Sequence, residues 1–298
     1  MTDYDRGSSL SRPPEDNLEA GEISTSSIRE LSIAGGVKPR RWGSWYVAEH
    51  RITAMRSYLQ TILATSVGNP LVYLFALGVG LAALVPQGIP NGDSTISYLA
   101  FVAPALLATA AVTVAAEEAT YPFMMAFKWN PIFFAMNAAP LSGNQIANGM
   151  FISILARIVP TTVIYFIVMV AFGAVPSALG FLGILTASFT GLAIATIVGS
   201  YSATIEEDKG QMAMIMRFGI TPMFLFSGTF FPLTSLPWFL QWIGWISPLW
   251  HGTELGRVLA YNLDEPMWLT AVHVVFLALL VVIGWKRTQF VITRRLNK

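Results

Sequence analysis

The 298 residues are 54% hydrophobic and only 12% charged, against roughly 25% charged in soluble domains; this balance excludes an ordinary soluble protein and places the chain in the membrane class. A net charge of +1, with basic residues in small groups at the ends of apolar runs, gives no basis for nucleic-acid binding. The chain has no cysteine, which excludes disulfides, thiolate metal sites and thiol catalysis.

Residues 1–38 are rich in Ser, Glu, Gly and Pro, lack an apolar run and read as a disordered cytoplasmic tail, not a signal peptide. Residues 39–58 mix Trp42, Trp45, Tyr46, Ile52 and Met55 with Glu49, His50, Arg51 and Arg56. That mixture predicts an amphipathic helix lying on the cytoplasmic membrane surface, the alternative being an early start to the first span. Residues 59–298 hold six apolar stretches, 59–85, 98–121, 146–172, 179–203, 212–231 and 267–285, each long enough to cross a bilayer at about 20 residues per crossing. The predicted fold is therefore an all-α integral membrane protein with six transmembrane helices. Apart from Arg157 and Arg257, every Lys and Arg falls in a tail, in the loop carrying Lys128, or around Lys209 and Arg217. Basic residues stay inside, so both termini are expected in the cytoplasm of a cell with this chain in its plasma membrane.

Polar residues recur every four positions on the first three spans, which puts them on one helix face. The first carries Thr65 and Asn69, the second Thr109 and Thr113, the third Thr161 and Tyr165. They either line a translocation path or bond their own backbone and neighbouring helices. Glu117 and Arg157 are charges within spans, which are usually paired or functional. On antiparallel second and third spans they lean toward each other, predicting an ion pair. Gly191, Ala195, Gly199 and Ala203 form a small-residue ladder on the fourth span, a packing face within the chain or between two copies. The loop 206–211, EEDKGQ, is either a solvated turn or a second contact for a partner.

Between the fifth and sixth spans, residues 227–257 pack four tryptophans among Pro232, Pro237 and Pro248. The prolines break any long helix, and indoles favour the headgroup level, so this segment lies at or dips into the external face. His50, His251 and His273 are far apart in sequence and read as interfacial or packing residues. No phosphate loop G-x-x-x-x-G-K-[ST], no G-x-S-x-G and no H-E-x-x-H occurs. Transport without a built-in energy source is the reading that remains.

Two blocks carry a family resemblance. Ser227, Gly228, Phe230, Phe231, Pro232, Leu233, Leu236 and Pro237, followed by Pro248, Leu249, His251, Glu254, Leu255 and Arg257, resemble the closing signature of type 2 ATP-binding-cassette (ABC) exporter permeases. The block 128–149, KWNPIFFAMNAAPLSGNQIANG, is similar to the loop after the second span in the NodJ-like branch, which includes the nodulation-factor exporters. The resemblance implies a permease that pairs with a second permease, identical or related, and with two cytoplasmic ABC ATPase subunits. ATP and Mg would bind those partners, and this chain would hold no cofactor and catalyse nothing. It also implies a coupling helix within 128–140, here with Lys128, Trp129, Asn130, Phe133, Phe134, Met136 and Pro140. Between spans five and six it implies a re-entrant helical hairpin carrying Phe230, Phe231, Pro232, Pro237, Trp238, Pro248, Glu254 and Arg257, with Glu254 and Arg257 bonded at its edge. The expected cargo is an amphipathic lipo-oligosaccharide or glycolipid, with hydrophobic drugs as the alternative because of the Met-rich fifth span. A channel or scaffold without an ATPase is the competing class.

Overall fold

The computed structural model describes residues 25–81, 83 and 86–298, and the chain divides into two compact units, 1–38 and 39–298. Residues 1–24 of the expected tail lie outside the described residues. From Thr25 the chain is helical, in α1 (Thr25–Met55), where no regular structure was expected before residue 39. Composition had hidden Ile28, Arg29, Glu30, Leu31 and Ala34, which include good helix formers.

In the second unit, α1 exposes Trp42, Trp45 and Tyr46 and buries Val47, Ala48 and Met55. It approaches a later helix so closely that a Cβ on Gly149 would lie 2.6 Å from the Ser44 carbonyl. A 3-10 turn leads into α2 (Leu59–Phe75), which contains Pro70 and passes into a π-helical segment, Ala76–Leu81. A short antiparallel hairpin, β1 (Ile89–Asn91) and β2 (Ser94–Ile96), precedes α3 (Tyr98–Ala119), whose first turn is capped by the Ser97 hydroxyl. The chain continues through α4 (Tyr121–Met125) and α5 (Ile132–Ala138) to α6 (Gly143–Ala171), which opens with a reciprocal Ser142 and Gln145 capping box. Then come α7 (Gly183–Ser202), α8 (Gln211–Met214), a π-helical segment Ile215–Ile220, and α9 (Thr221–Phe226). A helical hairpin, α10 (Trp238–Trp245) and α11 (Pro248–Tyr261), precedes the last helix, α12 (Met267–Leu296).

Five of the described stretches are long and apolar enough to cross a membrane: Arg41–Gly78, Tyr98–Met125, Gly143–Ala171, Ala178–Ser202 and Met267–Leu296. The predicted fifth span, 212–231, differs. The apolar helix there is Gln211–Phe226, about 24 Å long at roughly 1.5 Å per residue, short of a bilayer core of about 30 Å. Apolar composition continues past it, but Gly228 takes φ +72° and turns the chain out of the helix.

Alanines let α3 sit at the centre of the bundle. Its most apolar window is 78% buried, against 17% for Arg41–Gly78 and for α12. The Gly191 ladder on α7 packs within the chain: a Cβ there would meet the Ala111 carbonyl of α3 at 3.0 Å. Ala195 and Ala203 on the same face are buried.

Candidate functional site

The hydroxyl ladders converge. Thr65 and Asn69 of α2, Thr109 and Thr113 of α3, and Thr161 and Tyr165 of α6 all line one cavity of about 790 Å³. Its remaining wall comes from the π segment and α9. Several of these hydroxyls donate to their own helix: Thr109 to the Ala105 carbonyl at 2.8 Å, Thr113 to Thr109 at 2.9 Å, Thr65 to Thr61 at 3.0 Å and Thr161 to Arg157 at 3.0 Å. Their donors are spent, yet each oxygen keeps acceptor capacity. Ser66 and Thr161 hydroxyls meet at 3.2 Å and tie α2 to α6. The buried Tyr165 hydroxyl finds no hydrogen-bond partner among the described residues, a costly arrangement unless something in the cavity supplies one.

The charges form a larger network than a pair. Arg157 Nη2 bonds Glu117 Oε2 at 3.1 Å, and its Nη1 bonds Glu118 Oε1 at 2.5 Å. Arg51 of α1 takes the second oxygen of Glu118 at 2.8 Å. Sequence spacing pointed to Glu117 and missed Glu118 and Arg51, because Glu118 falls on a different face of α3 and Arg51 belongs to another helix. The two carboxylates are not equal: the Glu118 side chain is 4% exposed and that of Glu117 48%. Glu118→Ala is therefore expected to destabilise by about 3 kcal/mol, since it strands Arg51 and leaves Arg157 only the more exposed Glu117. Glu117→Ala should cost below about 1 kcal/mol. Thermal unfolding of the two variants in detergent checks the order, and equal midpoints would refute it.

The loop between α3 and α6 splits its predicted contact set. Trp129 is 58% exposed and stacks on Tyr121 with ring centroids 6.4 Å apart. Phe134 is exposed and leans edge-on against Phe127 at 5.9 Å, and Asn130 and Pro140 are exposed as well. Phe133 is 1% exposed; its ring packs edge-on against Phe127 at 4.9 Å and Phe123 at 6.5 Å. It is a core residue and offers no surface to a partner. Met136 also packs against the core. Lys128 Nζ reaches Glu207 Oε1 at 3.4 Å, joining this loop to the EEDKGQ turn.

In the hairpin, Arg257 and Glu254 bond at 2.9 Å, but not at an edge: the Arg257 side chain is 1% exposed. Its Nη2 donates to the Gly228 carbonyl at 2.7 Å and its Nε to the Phe101 carbonyl at 3.2 Å. The guanidinium also lies 3.7 Å over the Phe101 ring. One side chain thus fastens α11 to α3 and to the turn after α9. Pro248 begins α11, where a missing N–H costs nothing. Phe230 packs on Phe224 at 4.9 Å and its carbonyl accepts from the Tyr98 hydroxyl at 3.1 Å. Phe231 and Pro232 are half-buried beside it and Pro237 is exposed; Trp238 is 83% exposed.

Two histidines read as scattered are in contact. His251 Nε2 donates to the Trp245 carbonyl at 3.0 Å, which leaves Nδ1 to accept from His273 Nδ1 at 2.6 Å. His273 Nε2 then faces Glu265 Oε2 at 3.4 Å. Burial pushes the His251 imidazole down to about 4, so it stays neutral near pH 7. The packing of α11 against α12 brings together residues 22 apart in sequence; an apolar spacing rule has no access to that contact.

A sequence profile of the ABC-2 type transporter family matches residues 46–261. Nodulation protein J of Rhizobium leguminosarum bv. viciae is 29% identical over 258 residues, covering 82% of this chain and 93% of that protein. Nodulation protein J of Rhizobium leguminosarum bv. trifolii is 29% identical over 254 residues, covering 81% and 91%. The protein of the same name from Rhizobium meliloti (strain 1021) is 27% identical over 256 residues, also covering 81% and 91%. No solved structure matches.

Proposed function

The chain belongs to the ABC-2 type transporter family, as a NodJ-like permease, and we propose that it moves an amphipathic lipo-oligosaccharide or glycolipid outward across the plasma membrane. The energy comes from two cytoplasmic ATPase subunits that bind ATP and Mg, and a second permease copy or a related permease completes the channel. In this reading both termini are cytoplasmic, and the chain crosses six times. The short helix Gln211–Phe226 makes the fifth crossing with help from the residues after it, and α10 and α11 form the external re-entrant hairpin. ATP-driven closure of the partner dimer pushes on α5 and its flanks, and α3 and α6, which that loop joins, pass the displacement to the cavity walls.

The observation that carries this reading is the cavity of about 790 Å³ with hydroxyl ladders on three helices and a Tyr165 hydroxyl without a partner among the described residues. Hydroxyl acceptors on one side suit sugar hydroxyls, and Ile220, Phe224 and Leu225 on the other suit an acyl chain. Met216 in the same wall would also suit efflux of hydrophobic drugs through its adaptable thioether. The test is uptake into inside-out vesicles holding this chain and an ATPase encoded beside it. A fluorescent glycolipid is expected to accumulate only with hydrolysable ATP. Accumulation of a hydrophobic dye alone would favour the drug reading, and uptake independent of ATP would sink both.

A further inference from the structure

The charges around the cavity do not cancel. Arg157 and Arg51 are matched by Glu117 and Glu118. Arg217, on the facing wall, stands outside that balance: none of the ion pairs among the described residues includes it. Arg217 is exposed and lines the cavity beside apolar residues of its own helix, so its guanidinium is open to a counter-charge brought in by a ligand.

Local structure is arranged to keep Arg217 there. It lies in the π-helical segment Ile215–Ile220, where the Thr221 hydroxyl bonds the Met216 carbonyl at 3.0 Å. The cavity face of this helix reads Met216, Ile220 and Phe224 in one row and Arg217, Thr221 and Leu225 in the next, both at a spacing of four. In an α-helix a step of four residues turns about 400°, so such rows drift by about 40° per step. The wider π turn counters that drift and holds Arg217 on the same wall as Phe224 and Leu225. Arg217 is nearer the start of the helix; Phe224, nearer its end, packs edge-on against Tyr73 at 6.2 Å. One wall therefore offers a cation followed by an apolar track, opposite the hydroxyls.

We propose that Arg217 binds an anionic group of the cargo, a carboxylate, sulfate or phosphate, while the acyl part runs along Ile220, Phe224 and Leu225. This rests on the exporter reading above and narrows its substrate class to amphipathic anions. The same chemistry could come from an anionic lipid headgroup, so the test separates the two sources. The full chain is placed in phosphatidylcholine nanodiscs and titrated with a fluorescent dodecyl phosphate and the matching dodecyl glucoside. The phosphate probe is expected to bind about tenfold tighter than the glucoside, as one charge-assisted contact allows. Arg217→Gln should erase the difference, Arg217→Lys should keep part of it, and Arg294→Gln, away from the cavity, should leave it intact. Excess unlabelled glucoside should displace both probes, and the preference should persist in phosphatidylglycerol nanodiscs. Equal binding of the two probes to the wild type, or a preference that survives Arg217→Gln, overturns the proposal while leaving the cavity as a binding site. Loss of the preference in phosphatidylglycerol assigns Arg217 to lipid headgroups and overturns it too. If neither probe binds saturably, the cavity takes no amphiphile and the exporter reading of it fails as well.

Discussion

Arg257→Met is expected to destabilise the protein by about 3–5 kcal/mol, the cost of removing one partner from a buried charge pair. The guanidinium neutralises Glu254, satisfies the carbonyls of Gly228 and Phe101, and lies over the Phe101 ring. Methionine fills much of the volume and supplies none of these, leaving a buried carboxylate and two carbonyls without their donor. At about 2–4 °C per kcal/mol for a chain of this size class, the melting midpoint in detergent should fall by about 6–20 °C. Arg257→Lys keeps the charge and loses the three-way geometry, and so should fall between. The double variant Glu254→Gln with Arg257→Met should recover part of the loss, because no unpaired carboxylate remains. A single Arg257→Met variant melting within about 2 °C of the wild type would show that the pair contributes nothing net.

Trp129→Glu combined with Phe134→Asp should abolish co-purification with the ATPase and leave folding intact. Both rings are exposed, so charging them removes contact area from a partner without opening the core. Two aromatic anchors at about 2 kcal/mol each correspond to a loss of roughly a thousandfold in affinity. Phe133→Asp makes the opposite control: its ring is buried against Phe123 and Phe127, so it should lower expression before it can report on docking. Recovery of the Trp129 and Phe134 double variant with its ATPase at wild-type yield would remove this loop from the interface.

What the sequence made legible follows from what periodicity encodes. Long apolar runs fix the membrane class and most spans, and a four-residue polar spacing brings six residues from three helices onto one cavity. The adjacent Phe133 and Phe134 were not separable, because in a short helix which neighbour faces inward is decided by the packing of Phe123 and Phe127. The short helix Gln211–Phe226 was overestimated because composition stays apolar through Phe231 while the backbone turns at Gly228. Glu118, Arg51 and the His251 and His273 contact depend on meetings between distant segments, which no local pattern records. In the sequence Arg217 carries an orientation signal only; its place on a cavity wall depends on the π segment, a feature without a sequence signal here.

The alanine-rich centre has a mechanical consequence. α3 and α7 meet nearly backbone to backbone at Ala111 and Gly191, a close-packed contact with little room to rearrange. By contrast, the stretch containing α2 is 17% buried over its most apolar window, and α9 has no buried residue. The cavity is thus a vise with one stiff jaw and one loosely seated one: a displacement delivered through α3 and α6 is expected to change their gap to α2 and α9, gripping or releasing a cargo without repacking the bundle's centre.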